Sequence, residues 1–196
     1  MNRSFALGLL LAASLPQLQG CAAVVAGGAV TTATVARDQR TAGTILDDSR
    51  IESKASDFFN ADAELAQQAH LSVMAHNGMV LLVGQAPTEE MKKRAVDYVS
   101  RVAKVRHVYD EMTVQAPIPT LTRTNDGLIT AKVKGKLISI KDVNSTDVKV
   151  LTENGVVYLM GLLDQPTGDA VAEVVAGLSG VSKVVKLFEA PAGPRL

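Results

Sequence analysis

"NGMVLLVG" occupies residues 77–84 and "NGVVYLMG" occupies residues 154–161. In each, an Asn-Gly pair leads into an apolar run that closes on glycine. Asn-Gly signals a two-residue hairpin turn, because both central residues of that turn need φ > 0. The apolar run reads as a buried strand, with Gly84 and Gly161 as its end. An alternating stretch precedes each turn, "HLSVMAH" (70–76) or "DVKVLT" (147–152), and supplies the partner strand. The two segments are offset by 77 residues, and so mark an internal repeat.

The repeat extends outward from both ends. Upstream, "DDSRIESKASDFF" (47–59) aligns with "NDGLITAKVKGKL" (125–137); downstream, "KVRHVYDEM" (104–112) aligns with "GVSKVVKLF" (180–188). Each unit opens with a helix, 47–60 or 126–141. A second helix starts near Thr88 or Thr167, both of them N-cap residues after a proline-containing loop. Its apolar spacing is Met91, Ala95, Val99, Val102 in one copy and Val171, Val174, Val175, Leu178 in the other. A last strand, "HVYDEMTV" or "KVVKLFE", closes the unit. The order αββαβ gives an α+β fold, a small three-stranded sheet covered by two helices, present twice in tandem. The units span 47–115 and 123–189, with a linker at 116–122 and a tail at 190–196.

The helix at 126–141 carries more apolar surface than docking requires. At about 100° per residue, Ile129, Val133, Leu137 and Ile140 share one side and face the core. Leu128, Ala131, Gly135 and Ile138 share roughly the opposite side, accompanied by Lys132, Lys134 and, further on, Lys141. The first copy serves as a control. Its matching residues are Arg50, Ser53, Asp57 and Asn60, the polar set expected of a solvated face. The fold therefore does not demand the second stripe. An apolar face flanked by lysines suits an anionic membrane surface; the competing reading is an interface with the first domain or the linker.

The N-terminus reads as an export signal. "MNRSFALGLLLAASLPQLQGC" has Arg3, an apolar run too short to span a bilayer, and a small residue before Cys21. "LQGC" resembles a bacterial lipobox, which implies removal of residues 1–20 and acylation of Cys21. Ala22 stands where an inner-membrane retention signal would place Asp, so the resemblance implies sorting to the outer membrane. Residues 21–46 begin with the small, apolar "AAVVAGGAVTTATVA" (22–36) and read as a lipidated tether. Cys21 is the only cysteine, so no disulfide forms within the chain.

Loss of Arg3 leaves 19 Lys+Arg against 20 Asp+Glu, a balance that offers no field to gather nucleic acid. Nothing points to catalysis or to a cofactor. HExxH, paired cysteines and Gly-x-Ser-x-Gly are absent. His70 and His76 are six residues apart on a strand, about 20 Å and too far to share a metal; with His107 they read as solvated or edge histidines. "GLSG" (177–180) reads as a helix C-cap, and Lys92-Lys93-Arg94 as a solvated face.

The αββαβ unit with "NG-x-V-x-L-x-G" and a later "V-x-x-V" resembles the BON domain. Two such units behind a lipobox resemble the dual-BON outer-membrane lipoproteins of proteobacteria, the DolP type, and "DQRTAGTILDD" (38–48) is similar to that family's stretch before the first domain. The resemblance implies a lipid-anchored, periplasm-facing protein of the outer membrane. It also implies binding of anionic phospholipid (phosphatidylglycerol-like) through the first helix of the second domain, and a role in envelope integrity at the division site. Leu128 stands where members of that family carry a large aromatic. The alternative is a periplasmic scaffold whose exposed helix binds an envelope protein.

Overall fold

The computed structural model describes residues 40–141 and 143–191. The signal segment, Cys21 and the tether to residue 39 lie outside the described residues, as do the last residues of the tail. The first unit comprises α1 (Ala42–Ala61), a short α2 (Ala63–Gln68), β1 (His70–His76), β2 (Met79–Ala86), α3 (Glu89–Ser100) and β3 (His107–Val114). The second comprises α4 (Thr120–Ile138), β4 (Val148–Glu153), β5 (Val156–Leu162), α5 (Gln165–Ala176) and β6 (Lys183–Glu189). Each sheet is three-stranded, in the order β1-β2-β3 or β4-β5-β6. The hairpin pair is antiparallel and the pair joined across the helix is parallel.

Both turns adopt the mirror-image geometry that Asn-Gly favours. Asn77 and Gly78 sit at φ 53° and 75°, and Asn154 and Gly155 at 49° and 75°. The opening helix of each unit holds its turn. Asp48 accepts from the Asn77 and Gly78 amides at 2.7 and 2.8 Å; Asp126 accepts from the Asn154 and Gly155 amides, both at 2.8 Å. Both carboxylates are buried, and a buried charge persists only when bonded in this way. Arg40 pairs with Asp48 at 2.7 Å from the segment ahead of α1.

Several element ends differ from expectation. Helix α1 starts at Ala42, inside the stretch read as tether, because Thr41 accepts from the Thr44 amide as its N-cap. Helix α4 starts at Thr120 directly after Pro119 and ends at Ile138, so it is shifted upstream of 126–141. Thr88 caps α3 as expected, by accepting from the Met91 amide. Asp164, not Thr167, caps α5; its carboxyl is held below the usual range by the Thr167 amide. Gly84 and Gly161 do not end their strands, which run on to Ala86 and Leu162. They sit where the partner strand crosses: a Cβ on Gly84 would overlap the His70 carbonyl, and one on Gly161 the Asp147 carbonyl. Gly84 is also held at φ 115°.

Each sheet buries one face under its own helices. In the first unit Ile51, Ala55 and Phe59 of α1 and Met91, Ala95 and Val99 of α3 pack on Ala75, Val80 and Leu82. In the second, Ile129, Val133 and Leu137 of α4 and Val171 and Val175 of α5 pack on Val150, Val157 and Leu159. The alternate strand residues, Met74, Leu81 and Val83 with Tyr158 and Met160, form a third core between the two sheets. The chain thus stacks helices, sheet, sheet and helices, and the central strands are apolar on both faces because both faces are covered. Polar pairs border this seam. Gln85 donates to Glu153 at 2.7 Å, Lys149 pairs with Glu52 at 2.7 Å, and Arg106 pairs with Glu189 at 2.9 Å.

The histidines occupy the expected strand ends, but His76 is buried rather than solvated. The basic run is not simply solvated either: Lys92 pairs with Asp110 at 3.3 Å, and Arg94 with Asp62 and Glu64 at 3.1 and 2.6 Å.

Candidate functional site

Helix α4 is amphipathic in an unusual sense, since both of its long faces are apolar. Asp126, Ile129, Val133 and Leu137 recur at helical spacing and are buried. On the outer side, Leu128 is 60% exposed and Ile138 74% exposed. Ala131 and Gly135 lie between them, also exposed. Among the described residues, nothing outside the helix itself lies within 4 Å of where a Cβ on Gly135 would stand, so the middle of this face is open. Packing of this stripe against the first domain or the linker does not fit the exposure of Leu128 and Ile138. The domains meet sheet to sheet, and the second stripe of α4 faces outward.

Sequence reasoning missed Leu121. It is 81% exposed, and its seven-residue spacing from Leu128 puts it on the same stripe. The helix start at Thr120 brings it in. Pro119, immediately before the helix, was the available signal. From Leu121 to Ile138 the stripe runs about 25 Å at about 1.5 Å per residue.

The lysines are placed differently from one another. Lys132 donates to the backbone and hydroxyl oxygens of Ser179 at 3.3 and 3.2 Å, and is so drawn toward the "GLSG" turn. Lys134 lies beside a groove along the inner edge of the helix. Lys136 stands in the last turn, where a cation meets the negative end of the helix dipole. Lys141 lies beyond the helix and is exposed. The acidic first-domain helix offers no such surface. Its Arg50, Ser53, Asp57 and Asn60 face solvent.

Among the described residues no cluster of three or more His, Cys, Asp or Glu could hold a metal ion. None of the described helices is long and apolar enough to cross a membrane. The arrangement offers an exposed apolar strip flanked by lysines on one helix.

The BON-domain profile matches this chain twice, at residues 47–116 and 125–191. The chain is 39% identical over 183 residues to an outer membrane lipoprotein, DolP, of Haemophilus influenzae, covering 93% of this chain and 94% of that protein. The chain belongs to the BON-domain family, as a dual-BON protein of the DolP type. Two further likenesses are shorter or more distant. A 21 kDa hemolysin of Actinobacillus pleuropneumoniae is 39% identical over 151 residues, covering 77% of this chain and 78% of that protein. The osmotically-inducible protein Y of Escherichia coli is 28% identical over 145 residues, covering 72% of each chain. The two BON matches begin and end close to the two units seen in the fold, and α4 opens the second BON domain.

Proposed function

We infer that this protein is a non-enzymatic outer-membrane lipoprotein, held through acylated Cys21 with its BON domains facing the periplasm. Its α4 face binds anionic phospholipid of the phosphatidylglycerol class, and that contact supports envelope integrity at the division site. One observation carries the lipid reading. Leu121, Leu128 and Ile138 are exposed in line on a helix rich in lysine, while the equivalent face of the repeat is polar. A helix of this kind lies in the interface plane, its apolar side chains entering the acyl boundary and its lysines meeting the headgroups. Each lysine near an anionic surface contributes about 1 kcal/mol. Anchor and localisation are supported by the likeness to an outer membrane lipoprotein; the envelope and division-site roles are part of the proposal and rest on the resemblance alone.

The test is a titration of the unlipidated chain, followed by backbone amide NMR. Phosphatidylglycerol micelles shift residues of α4 and phosphatidylcholine micelles do not; the shifts vanish in Leu128→Glu/Ile138→Glu and weaken with salt. Absence of any lipid response from α4 would move the face to a protein partner of the envelope.

A further inference from the structure

Beside the C-terminal half of α4 lies a groove of about 400 Å³, within the range of small-molecule sites, roughly 300–1,000 Å³. Its walls are Met74, Leu137, Val148 and Val150, with Ile138, Lys134 and Ser145 around the opening. Met74 comes from β1 of the first domain and the rest from the second, so the groove follows the seam between the two. It shares Ile138 and Lys134 with the α4 face described above.

We propose that this groove takes one acyl chain of a single anionic phospholipid, with Lys134 pairing to its phosphate. The inference rests on the phospholipid reading of α4 and deepens it. Three observations select this occupant. The floor is made of branched aliphatic side chains and a thioether, which ask for no hydrogen bonds from a guest and so suit a methylene chain. The groove is continuous with the exposed stripe, so a lipid met by Leu128 and Ile138 has its next apolar shelter there. The cations differ in availability: Lys149 also lines the groove but is held by Glu52 at 2.7 Å, whereas Lys134 makes no ion pair among the described residues. Lys134 is therefore the cation left for a headgroup. A lipid bound this way touches Met74, and contact with lipid is not confined to the second domain.

The probe is dihexanoyl phosphatidylglycerol below its micelle-forming concentration, added to the mature chain carrying Cys21→Ser and labelled at its methyl groups. The Met74, Val148 and Val150 methyls shift saturably, and the lipid methylenes give intermolecular NOEs to the Met74 methyl. Ser145→Trp closes the opening and removes the response. Lys134→Gln weakens it about fivefold. Leu121→Glu/Leu128→Glu leaves it unchanged while abolishing binding to phosphatidylglycerol vesicles. Shifts confined to the outer α4 face, with silent groove methyls, would overturn the groove and leave the membrane reading standing. An equal response to dihexanoyl phosphatidylcholine would overturn the selection of an anionic lipid, and an unchanged response in Lys134→Gln would overturn the pairing. Groove methyls that move on deletion of 22–36, without lipid, would give the groove to that segment instead. No binding of either monomeric lipid or vesicles would sink both readings.

Discussion

At the scale of single residues, Asp48 and Asp126 do the same work in the two copies. Each reaches from the opening helix to both amides of an Asn-Gly turn. Bonds to a charged acceptor contribute about 1.5–3 kcal/mol each. Asp126→Ala therefore destabilises the protein by about 3 kcal/mol, read from urea unfolding. Asp48→Ala costs more, because it also breaks the buried ion pair with Arg40. Tyr158 gives a pH prediction. Burial between the sheets, then the Glu111 and Glu153 charges, push its phenol up to about 12. The folded state thus holds the proton more tightly than the unfolded chain, where the phenol titrates near 10. The stability it contributes is intact below about pH 10 and is lost as pH rises toward 12. Melting temperatures followed across that window fall more steeply in the native chain than in Tyr158→Phe.

At the scale of elements, α4 and the central strands carry the argument. Leu128→Trp adds an interfacial anchor to α4, so binding to phosphatidylglycerol vesicles tightens severalfold with little change in stability. The site is exposed, and such substitutions usually stay within about 0.5 kcal/mol. Sedimentation with vesicles and urea unfolding check the two halves. Gly161→Ala forces β5 off the Asp147 carbonyl and costs about 1–3 kcal/mol as overpacking. The repeat, the hairpin turns and the inward stripe were legible because each rests on local spacing. The role of Gly161 was not, because a close approach between strands leaves no mark distinguishing it from a strand end. The start of α4 was missed for a similar reason: Thr120 to Asn125 is polar but for Leu121, and only Pro119 hints that the helix has begun. Leu121 went unnoticed with it. The outward stripe from Leu128 to Ile138 could be read from sequence, but its exposure could not. Choosing between solvent and a domain interface needed the packing of the whole chain.

At the scale of the whole molecule, the seam between the sheets makes one body of two similar halves. Met74, Leu81 and Val83 meet Tyr158 and Met160 there, and the buried Gln85–Glu153 bond borders them. Gln85→Leu leaves the Glu153 carboxylate without that donor, and Glu153 is only 8% exposed. Loss of one partner from a buried charged bond costs about 3 kcal/mol. The chain unfolds in a single transition by circular dichroism, and this variant lowers its midpoint without splitting it. The strands at 79–86 and 156–162 are apolar on both faces, and a strand with one wet face alternates, but the sequence reading drew no second cover from them. Only the packing of the chain shows that the other copy covers them.

Synthesis and export deliver the first copy ahead of the second. For that interval Met74, Leu81 and Val83 lie on a finished sheet with nothing over them. A chain stalled near residue 116 would therefore present an adhesive apolar surface. The later half acts as the lid that ends this exposure.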